Sequence, residues 1–330
     1  MSRVIGGSVL FEIRPDTHRT VEPLHARNHT LLIVWLITDG KPGHENQSRG
    51  LAEALGRLHP AQVFTLPAQS RGRALLAWLT RSMRGVDVLP TPNLIIGAGH
   101  ATHLTLLAAR RACGGRAVVL MKPSLPRRWF DLCILPQHDG VAADAHTLVT
   151  EGALNRIRPS SARNPEHGLI LIGGVSSHFE WDSDAIQVQI KSILARTPGI
   201  HWTLTTSRRT PTDFLSMLPA HPRLTVVPHT ATPPDWLPDQ FAHSGTVWVT
   251  PDSASMVYEA LSAGADVGVF DLPVNPRSRI GWAISRLADA HRITRFASWC
   301  AHEQLNPNTQ PLAEADRCAA WIMEWLKKKY

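Results

Sequence analysis

Residues 246–272 of the 330-residue chain read TVWVTPDSASMVYEALSAGADVGVFDL. Residues 247–249 are a short apolar run of the kind a buried strand shows, and residues 267–270 are a second. Between them a polar turn at 251–255 leads into a helical pattern with Met256, Val257, Ala260 and Leu261 on one side. Gly264 then supplies the glycine that closes a helix. The stretch is therefore a βαβ unit, the building block of a parallel sheet. Its hydroxyls and carboxylate gather where the first strand ends and the helix begins. A helix's first turn has unpaired N–H groups and the positive end of the macrodipole, so it attracts phosphate. Asp252, Ser253 and Ser255 stand there. Glu259 follows Ser255 by one turn on the same face, where a carboxylate can accept two bonds from the vicinal diol of a ribose. The same residues also read as ordinary helix caps above a solvated glutamate.

Upstream, residues 168–172 are another strand candidate, opening into Gly173-Gly174-Val175-Ser176-Ser177. Backbone N–H groups of such a loop suit a phosphate. Asp182 and Asp184 carry the letters of a DxD metal motif, but an apolar helical pattern follows and they read first as caps. The strand candidate at 202–205 ends in Thr206-Ser207-Arg208-Arg209-Thr210, two arginines among hydroxyls, the composition of a diphosphate clamp. Residues 224–227 add one more strand.

The first half repeats the pattern. Residues 31–38, LLIVWLIT, are a buried strand, followed by Asp39-Gly40-Lys41-Pro42-Gly43-His44-Glu45-Asn46-Gln47 and an amphipathic helix marked by Leu51, Ala54, Leu55 and Leu58. His44 can act as a base or bind an acceptor hydroxyl, or it is a surface histidine on a glycine turn. Further strands are expected at 63–66, 93–96, 117–121 and 132–135. The third strand opens into Gly97-Ala98-Gly99-His100, a dinucleotide fingerprint without its third glycine, and the fifth ends at Gln137-His138-Asp139. Five strands with polar ends predict one parallel sheet whose carboxyl edge binds a ligand.

Residues 70–85, SRGRALLAWLTRSMRG, predict a basic helix. We read it as a layer helix with arginines in water, ahead of a helix resting on an anionic membrane. Residues 1–30 lack the features of a signal peptide and read as a poorly ordered extension, so the fold is expected to begin at Leu31. A polar stretch at 150–167 marks a domain link. The expected organisation is a domain over 31–155, a second over 156–310 and a final helix in 311–330.

A chain of this length suits two domains with their own cores, and 43% hydrophobic against 18% charged residues is a globular composition. The net charge of +7 favours an anionic partner, a nucleotide or lipid headgroups. No nucleic-acid motif accompanies it, so nucleic acid is not expected. Four cysteines without CxxC or metal-ligand spacing fit reduced thiols in a cytoplasm, and no apolar run is long enough to span a bilayer.

Two α/β halves, the second with a Gly-Gly-x-Ser loop, a clamp after a strand and a Ser-x-Ser-x-x-x-Glu βαβ, resemble a GT-B glycosyltransferase. ITDGKPGHENQ, FDLCILPQHD, LIGG, TSRRTP and VTPDSASMVYEA resemble, in that order, the mitochondrial-fission ELM-type family of plants and bacteria. The resemblance implies two Rossmann-like domains with parallel sheets facing a central cleft. It implies a glycosyltransferase that uses a nucleotide-sugar donor, needs no metal or other cofactor and acts on an envelope glycolipid, lipopolysaccharide precursor or other saccharide acceptor. Its expected location is cytoplasmic, with peripheral contact at the inner face of the anionic cytoplasmic membrane as the further alternative. Gly173, Gly174 and Ser176 would lie under the donor phosphates. Thr206, Ser207, Arg208 and Arg209 would neutralise the diphosphate, Asp252, Ser253 and Ser255 would sit at a phosphate, and Glu259 would hold the ribose. Asp39 or His44 would be the base. Lys41, Gly43, Gln47, His100, His138 and Asp139 are the acceptor-side candidates. A nucleotide-sugar 2-epimerase is the alternative enzyme, and an adaptor related to plant fission factors is the alternative without catalysis.

Overall fold

The apolar run at 32–37 is buried along its whole length, which explains its lack of alternation: both faces of the strand are covered. Leu32, Val34 and Leu36 join a core on one side, and Ile33, Trp35 and Ile37 join one on the other. The computed structural model describes residues 3–5, 8–13, 31–218 and 220–328, which divide into two units. The first unit runs to Arg156 and resumes at Glu314. Its strands are β1 (Arg3–Ile5), β2 (Ser8–Ile13), β3 (Leu32–Thr38), β4 (Ala61–Pro67), β5 (Leu94–Ala98), β6 (Arg116–Leu120), β7 (Leu132–Pro136) and β8 (Thr147–Thr150). They lie in the order β1-β2-β4-β3-β5-β6-β7-β8, with β3 to β8 parallel. Helices α1 (Pro42–Leu58), α2 (Arg71–Thr80) and α3 (His103–Cys113) connect the first parallel strands.

Three strands, β1, β2 and β8, go beyond the five expected here. β8 is a short edge strand, and β2 pairs antiparallel with β4, Phe11 opposite Val63. The sheet thus begins ahead of Leu31, on a run (Val9, Leu10, Phe11) rich in strand-favouring residues. The rest of 1–30, read above as an extension, lies outside the described residues.

Helix α2 departs from expectation. It buries only Ala74 and Ala77, while Leu75, Leu76 and Leu79 are at least half exposed and Trp78 is 39% exposed. Each such leucine forgoes about 1 kcal/mol or more of the stabilisation that full burial provides. The helix is held by the small residues on its inner face, and its apolar bulk points outward.

The second unit covers Ile157–Ala313. Its elements are β9 (Asn164–Leu171), α4 (Ser183–Arg196), β10 (His201–Thr205), β11 (Leu224–Val227), α5 (Trp236–His243), β12 (Ser244–Val249), α6 (Ala254–Ala263), β13 (Asp266–Val269), α7 (Arg279–Asp289), β14 (Thr294–Arg295) and α8 (Phe296–His302). All six strands are parallel, in the order β11-β10-β9-β12-β13-β14. Leu169, Leu171, Val247 and Val249 face the core under α5, α6 and α7. Ile170, Trp202 and Trp248 face the other way, where Trp248 packs against Phe270, Phe296 and Trp299. The chain then returns to the first unit. Its last described helix, α9 (Glu314–Lys327), buries Cys318, Ala319 and Ile322 in the core shared with Leu51 and Leu55 of α1. Trp321, on the same helix, remains 37% exposed.

Candidate active site

Each sheet has one place where chain connections leave a strand in opposite directions, and open α/β sheets bind ligands there. In the second unit β9 has β10 on one side and β12 on the other, so that place lies at the ends of β9 and β12. Every donor-side residue picked out in the sequence sits around it.

The geometry sorts these residues into two groups. The Gly173 N–H donates to Thr250 Oγ1 at 2.7 Å, and the Gly174 N–H donates to Asp252 Oδ2 at 2.9 Å. The expectation that these two N–H groups cradle a phosphate is therefore corrected: the protein's own side chains already occupy them. Ser207 Oγ donates to the Gly173 carbonyl at 2.6 Å, and Thr210 Oγ1 donates to the same oxygen. The Arg209 guanidinium lies 2.7 Å from Asp252 Oδ2 and donates to the carbonyls of Gly174 and Val175, each at 3.2 Å. A methyl group on Gly174 would fall within 3 Å of the Arg209 backbone. Gly173, Gly174, Ser207, Arg209 and Asp252 thus form a knot that fixes the glycine loop, and Arg209 is not the open clamp the sequence suggested. The Asp252 side chain is 1% exposed. Burial pushes its carboxyl above the usual range, opposed by Thr250, the Gly174 N–H and Arg209.

The remaining donor-side residues stand outside this knot. Arg208 is exposed and, among the described residues, makes no hydrogen bond or ion pair. Ser253 is the N-cap of α6 but makes no capping side-chain bond, unlike Asp182 on α4, whose Oδ1 accepts from the Ala185 N–H at 2.9 Å. Asp182 is therefore the cap its sequence context suggested. At α6 the first-turn N–H groups and the Ser253 hydroxyl stay available. Ser255 is exposed at the same tip, and Glu259, one turn on, is buried where the sequence alone also allowed a solvated position. Thr206 is buried and shares a hydrogen bond with His229 Nδ1 at 3.2 Å. Ser176 Oγ accepts from the His178 N–H at 3.1 Å, and His178 Nδ1 lies 3.0 Å from Ser278 Oγ.

In the first unit β3 lies between β4 and β5, so the corresponding place is at the ends of β3 and β5. His44 Nδ1 is 2.9 Å from Asp39 Oδ2, and the Lys41 N–H donates to Asp39 Oδ1 at 3.2 Å. The Asp39 side chain is 5% exposed and His44's is 20% exposed. A buried carboxylate on Nδ1 holds the imidazole in the tautomer whose Nε2 lone pair can accept a proton. Gly99, passed over as part of an incomplete fingerprint, faces this pair. Its φ is +85°, and a methyl group there would meet the His44 ring within 3 Å. The visible signal for it was the glycine pair of GAG after a strand.

The other acceptor-side candidates spread along the same strand-end edge. Lys41 and Gly43 are exposed in the turn into α1, Gln47 is half-buried on α1, and His100 is exposed after β5. His138 and Asp139 form a single helical turn after β7, and Asp139 Oδ2 accepts from the Lys122 N–H at 3.2 Å, tying the ends of β6 and β7. His103, which the sequence did not single out, is buried against Phe130 with its Nδ1 3.2 Å from Ser124 Oγ. Burial, aided by His100, lowers its pKa from 6.5 to about 4.

The family model for mitochondrial fission ELM1 matches residues 42–326. The chain belongs to this family. Among curated proteins, none matches it significantly. Solved structures share its fold. A candidate UDP-N-acetylglucosamine 2-epimerase of Listeria monocytogenes is 10% identical, with a TM-score of 0.59 over 91% of this chain and 98% of that one. The UDP-GlcNAc 2-epimerase of Neisseria meningitidis, solved with UDP-GlcNAc, is 12% identical, with a TM-score of 0.50 over 91% and 100%. MurG of Acinetobacter baumannii matches at 13% identity and a TM-score of 0.49, over 90% and 99%. At these identities the likeness is one of fold: two Rossmann-like α/β units of the GT-B type.

Proposed function

We propose that this protein is a glycosyltransferase that takes a sugar from a nucleoside-diphosphate sugar and passes it to an envelope glycolipid, such as a lipopolysaccharide precursor, or to another saccharide acceptor. The observation that supports this best is the contrast at the strand ends of the second unit. One arginine is spent on the fold, while Arg208, the Ser253 and Ser255 hydroxyls and the uncapped start of α6 stay open beside a buried Glu259. A diphosphate needs cations and N–H donors, and a ribose needs a fixed carboxylate one turn further on. The leaving diphosphate would be stabilised by Arg208 and the helix-end N–H groups, which requires no metal in principle. His44, held by Asp39, would accept the proton of an acceptor hydroxyl through Nε2; Asp39, buried behind it, would act by orienting the ring.

Thermal unfolding in the presence of nucleoside diphosphates and nucleotide-sugars tests the donor site. A ligand at about a hundred times its dissociation constant stabilises the fold by about 2.7 kcal/mol. The expected result is a shift with one nucleotide family that is lost in Glu259→Ala. Shifts with none of them would remove the donor site and favour an adaptor. Where a nucleotide-sugar does bind, product analysis decides the reaction. Free diphosphate with a glycosylated acceptor supports transfer, whereas an epimerised nucleotide-sugar without lasting diphosphate release would make the protein an epimerase.

A further inference from the structure

The outward face of α2 breaks the separation of apolar core from polar surface, with Leu75, Leu76, Trp78 and Leu79 all exposed. At 100° per residue, Leu75, Leu76 and Leu79 fall within an arc of about 100° opposite the buried Ala74 and Ala77, with Arg71 and Arg73 flanking that arc on its two sides. Arg81 and Arg84 follow, and no acidic residue occurs from Ser70 to Val86; Asp87 is the first. Beside this face lies a cavity of about 640 Å³ walled by Leu75, Trp78, Leu104 and Leu107. Arginines stand around it. Arg111 stacks over the Trp78 ring at 4.4 Å, Arg110 is held by Asp131 at 2.9 Å, and Arg128 is exposed with no partner among the described residues. Trp129, which also lines the cavity, is 45% exposed.

We propose that this face docks the protein on the surface of a bilayer containing anionic phospholipids, with α2 lying in the interface plane. The leucines would enter the acyl boundary, Trp78 and Trp129 would sit at headgroup level, and the arginines would meet the phosphates. Charge selects this occupant. A second copy of the chain would bring two arginine-flanked faces of the same sign together, whereas an anionic bilayer offers acyl chains and phosphates in the two layers this face presents. Ten residues span about 15 Å, enough to lie on a membrane and too short to cross one, and no helix among the described residues is long and apolar enough to cross.

Vesicle flotation of the full chain tests this without any nucleotide, so its result is independent of the transferase reading. Vesicles of phosphatidylcholine alone are compared with vesicles containing roughly one-third phosphatidylglycerol, at low and high salt. The protein is expected to float with the anionic vesicles at low salt and to be released by salt. The Leu76→Glu/Leu79→Glu variant should lose flotation while keeping its melting temperature, because both leucines are exposed. Arg71→Gln/Arg73→Gln should weaken partitioning by about five-fold per arginine. The proposal is overturned if the protein ignores anionic vesicles, if it binds neutral vesicles equally, or if both variants float like the parent. It is also overturned if the leucine variant only converts a dimer into a monomer.

Discussion

The guanidinium of Arg209 closes on the carboxylate of Asp252 at 2.7 Å, while Arg208, its neighbour in the chain, makes no hydrogen bond or ion pair among the described residues. Two adjacent arginines therefore have opposite duties. Arg209→Ala leaves a buried carboxylate without its cation and two loop carbonyls without a donor, at a cost of roughly 1–3 kcal/mol once the half-exposed guanidinium is discounted. Arg208→Ala should leave stability unchanged and raise the dissociation constant for a nucleoside diphosphate by about ten-fold or more, the loss of one charge-assisted contact. Urea denaturation and calorimetric titration of both variants check the split. Equal loss of stability in the two would show that the division of labour is wrong.

The same knot predicts a second effect. A methyl group at Gly174 would collide with the backbone of Arg209 and Thr210, which cannot rotate away as a flexible side chain can. Gly174→Ala should therefore cost about 1–3 kcal/mol, whereas Gly43→Ala, with open space around its Cα, should cost little. Equal unfolding midpoints for both variants would mean that the loop shifts freely and is not fixed by these bonds.

The alternation of apolar strands with amphipathic helices made most of both parallel sheets legible in the sequence, because central strands such as β3, β5 and β7 are buried on two faces and write unbroken apolar runs. The strand-end positions of Asp39, His44, Arg208, Ser253 and Glu259 followed from the same pattern. Hydrogen bonding was not legible. TSRRTP shows two arginines and gives no sign that one is turned inward on Asp252, a residue more than forty positions away. The glycine loop likewise looked open because sequence does not show that Thr250 and Asp252 fill its N–H groups. The outward leucines of α2 were misread for a related reason: apolar residues at helical spacing predict an apolar face without saying which way it points.

The pairing of His44 with Asp39 depends on a residue that carries no side chain. Gly99→Ala would place a methyl group against the imidazole in a backbone conformation that side chains rarely adopt. It should cost about 1–2 kcal/mol of stability and break the Nδ1 contact. The second effect is read in proton spectra as loss of the low-field imidazole N–H resonance that His44→Gln also removes. Retention of that resonance in Gly99→Ala would show that the ring has room to spare.

Stability should also depend on pH through His103. Its folded pKa of about 4 lies below the ordinary value of 6.5, because burial against Phe130 disfavours the imidazolium and His100 adds to the effect. Between those values the unfolded chain binds a proton that the folded chain refuses, so acid favours unfolding. The contribution is fully present above pH 6.5 and is lost as pH falls toward 4, amounting to about 3 kcal/mol over the window. His103→Gln keeps a polar group near Ser124 Oγ and removes the titration. The gap in stability between parent and variant should then narrow or reverse across that window and stay constant above it. A gap that is flat from pH 7 to pH 4 would show that His103 is protonated in the folded protein as readily as in the unfolded chain.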